Sequence, residues 1–178
     1  MSALKPEIIA LIRKVKLAVF DVDGVMTDGS LNYGPDGETI KTFNTLDGHG
    51  MKMLQKSGVE IAIISGRQSQ ALVRRASDLG IAHLFPGVDD KGKVFLELLK
   101  SLGLEALQVA SIGDDVVDLP ILTRCGFAAA VPAAPEFVQK RVHYVTQAHG
   151  GHGAVREFCD LIMRAQGTQD AALSKYLQ

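Results

Sequence analysis

Apolar residues follow two alternating patterns along the chain: short unbroken runs, and longer stretches where they recur at helical spacing. The runs at residues 16–21, 59–64, 81–85, 108–112, 127–131 and 143–146 are rich in Val, Ile and Ala and read as strands, the last at a sheet edge. Helical spacing covers residues 6–14, 47–57, 68–79, 90–102, 116–125, 136–141 and 154–166. Pro6 suits a first helical turn, Asp47 is the expected N-cap of the second helix, and Gly58, Gly80 and Gly103 are stop signals. Strand and helix in alternation predict an α/β fold, with a doubly wound, mostly parallel sheet covered on both faces. Residues 30–43 depart from the alternation. There Gly34-Pro35-Asp36-Gly37 reads as the turn of a β-hairpin excursion. The polar tail 167–178 has little reason to order by itself.

Composition narrows the organisation. A chain of 178 residues that is 47% hydrophobic can bury one sizeable core but not two. A single domain over residues 1–166, followed by the tail, is expected. The formal net charge of -1, with both signs interspersed, leaves no basic stripe for nucleic acid. No run approaches the roughly 18 apolar residues of a membrane span, and the first residues lack a signal-peptide core. Cys125 and Cys159 lie far apart in apolar helical contexts, so two buried reduced thiols and a cytoplasmic location are expected.

Chemistry gathers where strands end. In doubly wound sheets ligands bind beyond the carboxyl ends of the strands. Asp21 and Asp23 end the first predicted strand, Ser65 another and Asp114 a third, with Asp115 and Asp118 close behind. Lys91 stands in the first turn of a helix, where the dipole disfavours a cation. Each has an ordinary alternative: Asp in a turn, Ser as a cap, a solvated Lys, an acidic helix start. All four at one edge of one sheet favour a site. Two close carboxylates repel, so they call for a hard cation or a shared proton.

In that order FDVDGVMTDG, IISGR, Lys91 and IGDDVVD resemble the haloacid dehalogenase-like phosphohydrolase superfamily, over residues 16–146. The resemblance implies a Rossmann-like domain in which Asp21 is the nucleophile and Asp23 the general acid and base. Ser65 and Lys91 would grip the transferring phosphoryl group. Mg²⁺ would sit on the carboxylates of Asp21 and Asp114 and the backbone carbonyl of Asp23. Asp118 would orient Lys91 or a bound water, and Asp115 could share that task. Within the superfamily, the missing cap domain, the hairpin and GGHGAVREF resemble a branch acting on keto-deoxy sugar acid phosphates. The expected partner is therefore a small anionic sugar phosphate.

The intervals 23–65 and 65–91 are too short for a lid domain, so the site of one chain would be open. The resemblance implies a homotetramer in which hairpins 30–43 roof adjacent sites. Arg67 is the first candidate to meet the substrate carboxylate, since a guanidinium can do so through two parallel bonds. Arg156 is set either to reach a site across an interface or to pair with Asp160 one turn on. His49 would line the mouth in family fashion. The glycines at 150, 151 and 153 either cradle an anion at a helix N-terminus or form a plain connection. The resemblance also implies an acidic residue at the position of Arg67 in the nine-carbon enzymes of the branch, so Arg67 favours an eight-carbon acid. Two non-enzymatic readings stand beside this one. A receiver-like signalling domain would keep its phosphoryl-aspartate and has no use for Asp23; a phosphosugar-binding scaffold would have lost Asp21 or Asp23.

Overall fold

The computed structural model describes residues 5–35, 37–174 and 176–177. Asp36 of the expected turn, the first four residues of the chain, and Lys175 and Gln178 of the tail lie outside them. In chain order the elements are α1 (Pro6–Ile12), β1 (Leu17–Phe20), β2 (Asn32–Gly34), β3 (Gly37–Ile40), α2 (Thr45–Lys56), β4 (Glu60–Ile64), α3 (Gln70–Leu79) and β5 (His83–Phe85). There follow α4 (Lys91–Leu102), β6 (Val109–Gly113), α5 (Leu119–Leu122), β7 (Phe127–Ala130), α6 (Glu136–Gln139), β8 (Tyr144–Val145), α7 (Ala154–Gln166) and α8 (Gln169–Ser174).

Six strands form one sheet in the order β5-β4-β1-β6-β7-β8, and every neighbouring pair is parallel. β1 is buried along its whole length because it lies between β4 and β6, with helices over both faces. Phe20 aligns with Ile63 on one side and Ile112 on the other. The residues that follow these three strands therefore emerge side by side. Phe158 of α7 packs edge-on against Phe20 at 5.6 Å and stacks on Phe127 at 5.7 Å, fixing the helical layer behind β1. β2 and β3 form the separate antiparallel hairpin, joined where Gly34 meets Gly37.

Three local expectations are corrected. Asn44, not Asp47, caps α2, accepting from the Leu46 and Asp47 N–H groups at 2.8 and 3.4 Å. The helix starts at Thr45, which puts Asp47 inside its first turn. The helix foreseen after Asp114 is a 3₁₀ turn, Val116–Asp118, followed by the single-turn α5. The tail is partly ordered: α8 turns back after Gly167 (φ +71°), and Ala172 and Leu173 pack against the core.

Candidate active site

Asp21 continues β1 directly, its N–H bonded to the Ile112 carbonyl of β6 at 3.1 Å. Asp114 continues β6. Gly24 follows Asp23 with φ +88°, and a Cβ there would lie 2.0 Å from Asp114 Oδ2. Only glycine lets the two loops close on each other. Carboxylate oxygens of Asp21, Asp114 and Asp118 all lie within 4.8 Å of one another.

Lys91 reaches this cluster from the first turn of α4, a turn fixed by Asp90, whose side chain accepts from the Lys93 N–H at 2.9 Å. Its Nζ is 2.5 Å from Asp21 Oδ1 and 2.6 Å from Asp118 Oδ1, and the residue is only 4% exposed. The unfavourable helix position is thus offset by two buried carboxylates. Asp118 is fully engaged, because its Oδ2 also accepts the N–H groups of Asp114 and Asp115 at 3.0 and 3.2 Å. It holds Lys91 and the 113–115 turn in place. Asp115 instead accepts from the Val116 N–H and adds negative charge at the rim.

Three carboxylates facing one ammonium leave the cluster short of positive charge. Burial first, and then the Asp118 charge, push Asp21 up to about 6 despite Lys91. Asp114 is pushed up to about 8 by burial and by Asp21, Asp118 and Asp115 in turn. Burial works against the charge on Lys91, but Asp21 and Asp118 outweigh it and raise its pKa. An all-oxygen donor set whose members resist ionisation in the absence of further positive charge fits a hard divalent cation. With Asp118 engaged, Asp21 and Asp114 are the carboxylates with donors to offer.

A cleft of about 280 Å³ opens over the cluster, lined by Asp21, Asp23, Gly29, Leu31, Gly66, Arg67, Lys91, Asp114, Asp115 and Val117. Asp23 meets two cations there. Lys41, at the end of the hairpin, has a buried side chain and bonds Asp23 Oδ1; Arg67 Nε lies 3.9 Å from Asp23 Oδ2. The Arg67 Nη2 also donates to the Tyr33 hydroxyl at 2.9 Å. Lys41 and Tyr33 went unseen in the sequence, since neither has a local signal and each meets its partner only through the fold of the hairpin. Ser65 ends β4 beside the cleft; its hydroxyl accepts from the Arg67 N–H at 3.2 Å and donates to the Arg67 carbonyl at 3.3 Å.

Two predicted residues are not brought to the cleft of their own chain. Arg156 Nε pairs with both oxygens of Asp160 at 3.0 and 2.9 Å, the local pairing. His49, on α2, faces the tail, its ring 5.7 Å from that of Tyr176. Where the glycine-rich loop meets α7 a carboxylate already sits: Asp47 accepts from the Gly153 and Arg156 N–H groups at 3.4 and 2.8 Å. Cys125 and Cys159 are buried free thiols, as expected.

A parallel sheet with acids and a serine just past three adjacent strand ends, and a buried lysine reaching them from the start of α4, defines a class, and comparison with known proteins agrees. The chain belongs to the haloacid dehalogenase-like hydrolase family, whose model matches residues 76–158. Among its relatives, the 3-deoxy-D-manno-octulosonate 8-phosphate phosphatase KdsC of Haemophilus influenzae is 46% identical over 156 residues, 88% of this chain and 87% of that one. The phosphatase of the same substrate from Moraxella catarrhalis, solved with magnesium, phosphate and KDO, superposes with a TM-score of 0.93 at 41% identity, covering 96% of this chain and 98% of the other. The cobalt-bound form of the Haemophilus influenzae enzyme gives a TM-score of 0.89 at 43% identity, over 94% and 99% of the two chains. Among the described residues no helix is long and apolar enough to cross a membrane.

Proposed function

We propose that this phosphomonoester hydrolase releases phosphate from 3-deoxy-D-manno-octulosonate 8-phosphate, in lipopolysaccharide synthesis, through an aspartyl-phosphate on Asp21. The observation that carries the reading is one cleft holding the acid cluster, the buried Lys91, and Arg67 beside Asp23. Asp21 attacks phosphorus, and the bond from phosphorus to the sugar oxygen breaks. Asp23 gives its proton to that leaving alkoxide, then takes one from the water that attacks phosphorus and frees Asp21. Lys91 orients Asp21 and, with Ser65, meets the phosphoryl oxygens as their charge shifts. Asp21, Asp114 and the Asp23 carbonyl would hold Mg²⁺, which supplies charge neutralisation at the phosphate when bound. Asp118 keeps Lys91 in place, and Asp115 tunes the charge at the rim.

Arg67 is the partner we assign to the sugar carboxylate, favoured by its position at the cleft wall and by the Tyr33 hydroxyl that fixes its far end. An arginine at a position where the resemblance implies an acidic residue in the nine-carbon enzymes also supports the eight-carbon acid as substrate. Leu31, Tyr33 and Ile40 are large apolar residues exposed at or beside the hairpin, which supports a homotetramer closed over the sites by hairpins 30–43. In such an assembly Arg156 and His49 would serve a neighbouring site if they serve one at all. Buried reduced thiols suit the cytoplasm.

A panel of sugar phosphates, with Mg²⁺ or chelator, tests the substrate. Mg²⁺-dependent release that strongly prefers the eight-carbon keto-deoxy acid is expected. Equal rates on the nine-carbon acid, or on phosphates lacking a carboxylate, would overturn the assignment.

A further inference from the structure

The glycine-rich loop is built into the fold far more firmly than a connection between β8 and α7 requires. At its first end, Glu157 of α7 accepts the N–H groups of Gln147 and Ala148 and the Tyr144 hydroxyl, at 2.6 to 3.1 Å. Thr146 donates from its side chain to the Ala148 carbonyl at 2.8 Å. At the other end Asp47, only 2% exposed, takes the Gly153 and Arg156 N–H groups from across the layer. Asn44, the cap of α2, donates to the Gly151 carbonyl at 3.2 Å. Two buried or half-buried carboxylates from different helices therefore pin a loop of small residues.

What the loop presses against is the turn that follows Asp23. The Gly151 N–H bonds the Val25 carbonyl at 3.0 Å. A Cβ on Gly150 would lie 1.7 Å from the Gly24 carbonyl oxygen and 2.9 Å from that of Thr27. A Cβ on Gly151, at φ +69°, would lie 2.6 Å from the Asp28 nitrogen. The turn itself is wound on the Val22 carbonyl, which accepts from Val25, Met26 and Thr27, while the buried Thr27 hydroxyl accepts from Gly24 and Gly29. Nothing polar at positions 150 or 151 contacts the cleft. Their contribution is a backbone surface packed directly against the turn.

We propose that loop 146–153 is a brace that sets the position of Asp23, with Asp47 and Glu157 as positioning residues that hold the brace. The inference rests on Asp23 acting as the acid in the reaction described above. A proton donor must sit within hydrogen-bond reach of the leaving oxygen, so at saturating Mg²⁺ the brace acts on kcat/KM, which reports the steps up to departure of the leaving group and excludes the later water attack for which Asp23 is the base.

That selectivity gives the test. kcat/KM is measured at saturating Mg²⁺ for Gly150→Ala and Asp47→Asn on 3-deoxy-D-manno-octulosonate 8-phosphate and on 4-nitrophenyl phosphate, whose leaving group needs no proton. Asp23→Asn serves as one reference and Ile162→Val, a core change in α7, as the other. With displacements near 1 Å, kcat/KM on the sugar phosphate should fall by about ten to a hundredfold while that on the aryl phosphate stays within about twofold. Ile162→Val should not separate the substrates. Rates falling in equal proportion on both substrates, or holding on both, would overturn the brace. Asp47→Asn keeps the shape of the clamp and gives the reading if Gly150→Ala does not fold. Should Asp23→Asn itself fail to separate the substrates, the acid role is wrong; separation by Asp23→Asn alone contradicts only the brace.

Discussion

Asp114 concentrates the tension of the site at the scale of a single residue. Its pKa of about 8 in the fold, against 3.8 ordinarily, means that between those values the folded state keeps a proton the unfolded chain has released. Stability of the metal-free protein should therefore fall as pH rises through that window, Asp21 contributing the part up to about 6. Asp114→Asn should flatten the profile, raise the melting temperature at pH near 8 in chelator, and abolish the further rise that Mg²⁺ gives the wild type. Thermal unfolding at the two ends of the window measures this, and parallel profiles would contradict it. Lys91→Met leaves Asp21 and Asp118 buried against no ammonium. Loss of about 3–5 kcal/mol is expected from breaking such a buried arrangement, with kcat down by about 10²–10³. Denaturant unfolding and phosphate release report the two effects separately. Asp23→Asn should leave the fold intact while lowering kcat on a sugar phosphate by about 10²–10⁴.

Elements explain why some of this was legible in sequence. β1, β4 and β6 each announce themselves as an apolar run that stops at a polar residue, so Asp21, Ser65 and Asp114 could be placed at strand ends without knowing the strand order. Lys91 was legible because a cation in a first helical turn needs a reason. Lys41 and Tyr33 were not, since the hairpin's path over Asp23 and Arg67 depends on tertiary packing that no local pattern encodes. Asp47 shows the same limit: an acid near a helix start looks like that helix's cap, yet it serves α7, more than a hundred residues on, while Asn44 does the nearer work. The polar tail was expected to have little reason to order by itself, and in the structure Ala172 and Leu173 of α8 pack against the core. Removing residues 168–178 should therefore cost modest stability and alter KM or product release more than the fold. Circular dichroism and steady-state kinetics on the shortened chain decide it, and unfolding under mild conditions would refute it.

For the molecule as a whole, an open cleft beside an exposed apolar hairpin argues for closure by other copies. Charge placed on that face, as in Ile40→Lys, should yield a monomer by sedimentation and lower kcat/KM, with the melting temperature of the single chain preserved; an active monomer would remove the need for a roof. The whole account turns on covalent chemistry at one carboxylate. Its most direct test is acid quenching within the first turnover on 3-deoxy-D-manno-octulosonate 8-phosphate with Mg²⁺, followed by mass spectrometry of the peptide carrying Asp21. A phosphoryl adduct on Asp21 that forms and decays at the rate of turnover, absent together with activity in Asp21→Asn, is the predicted result. Turnover that persists in Asp21→Asn would contradict it.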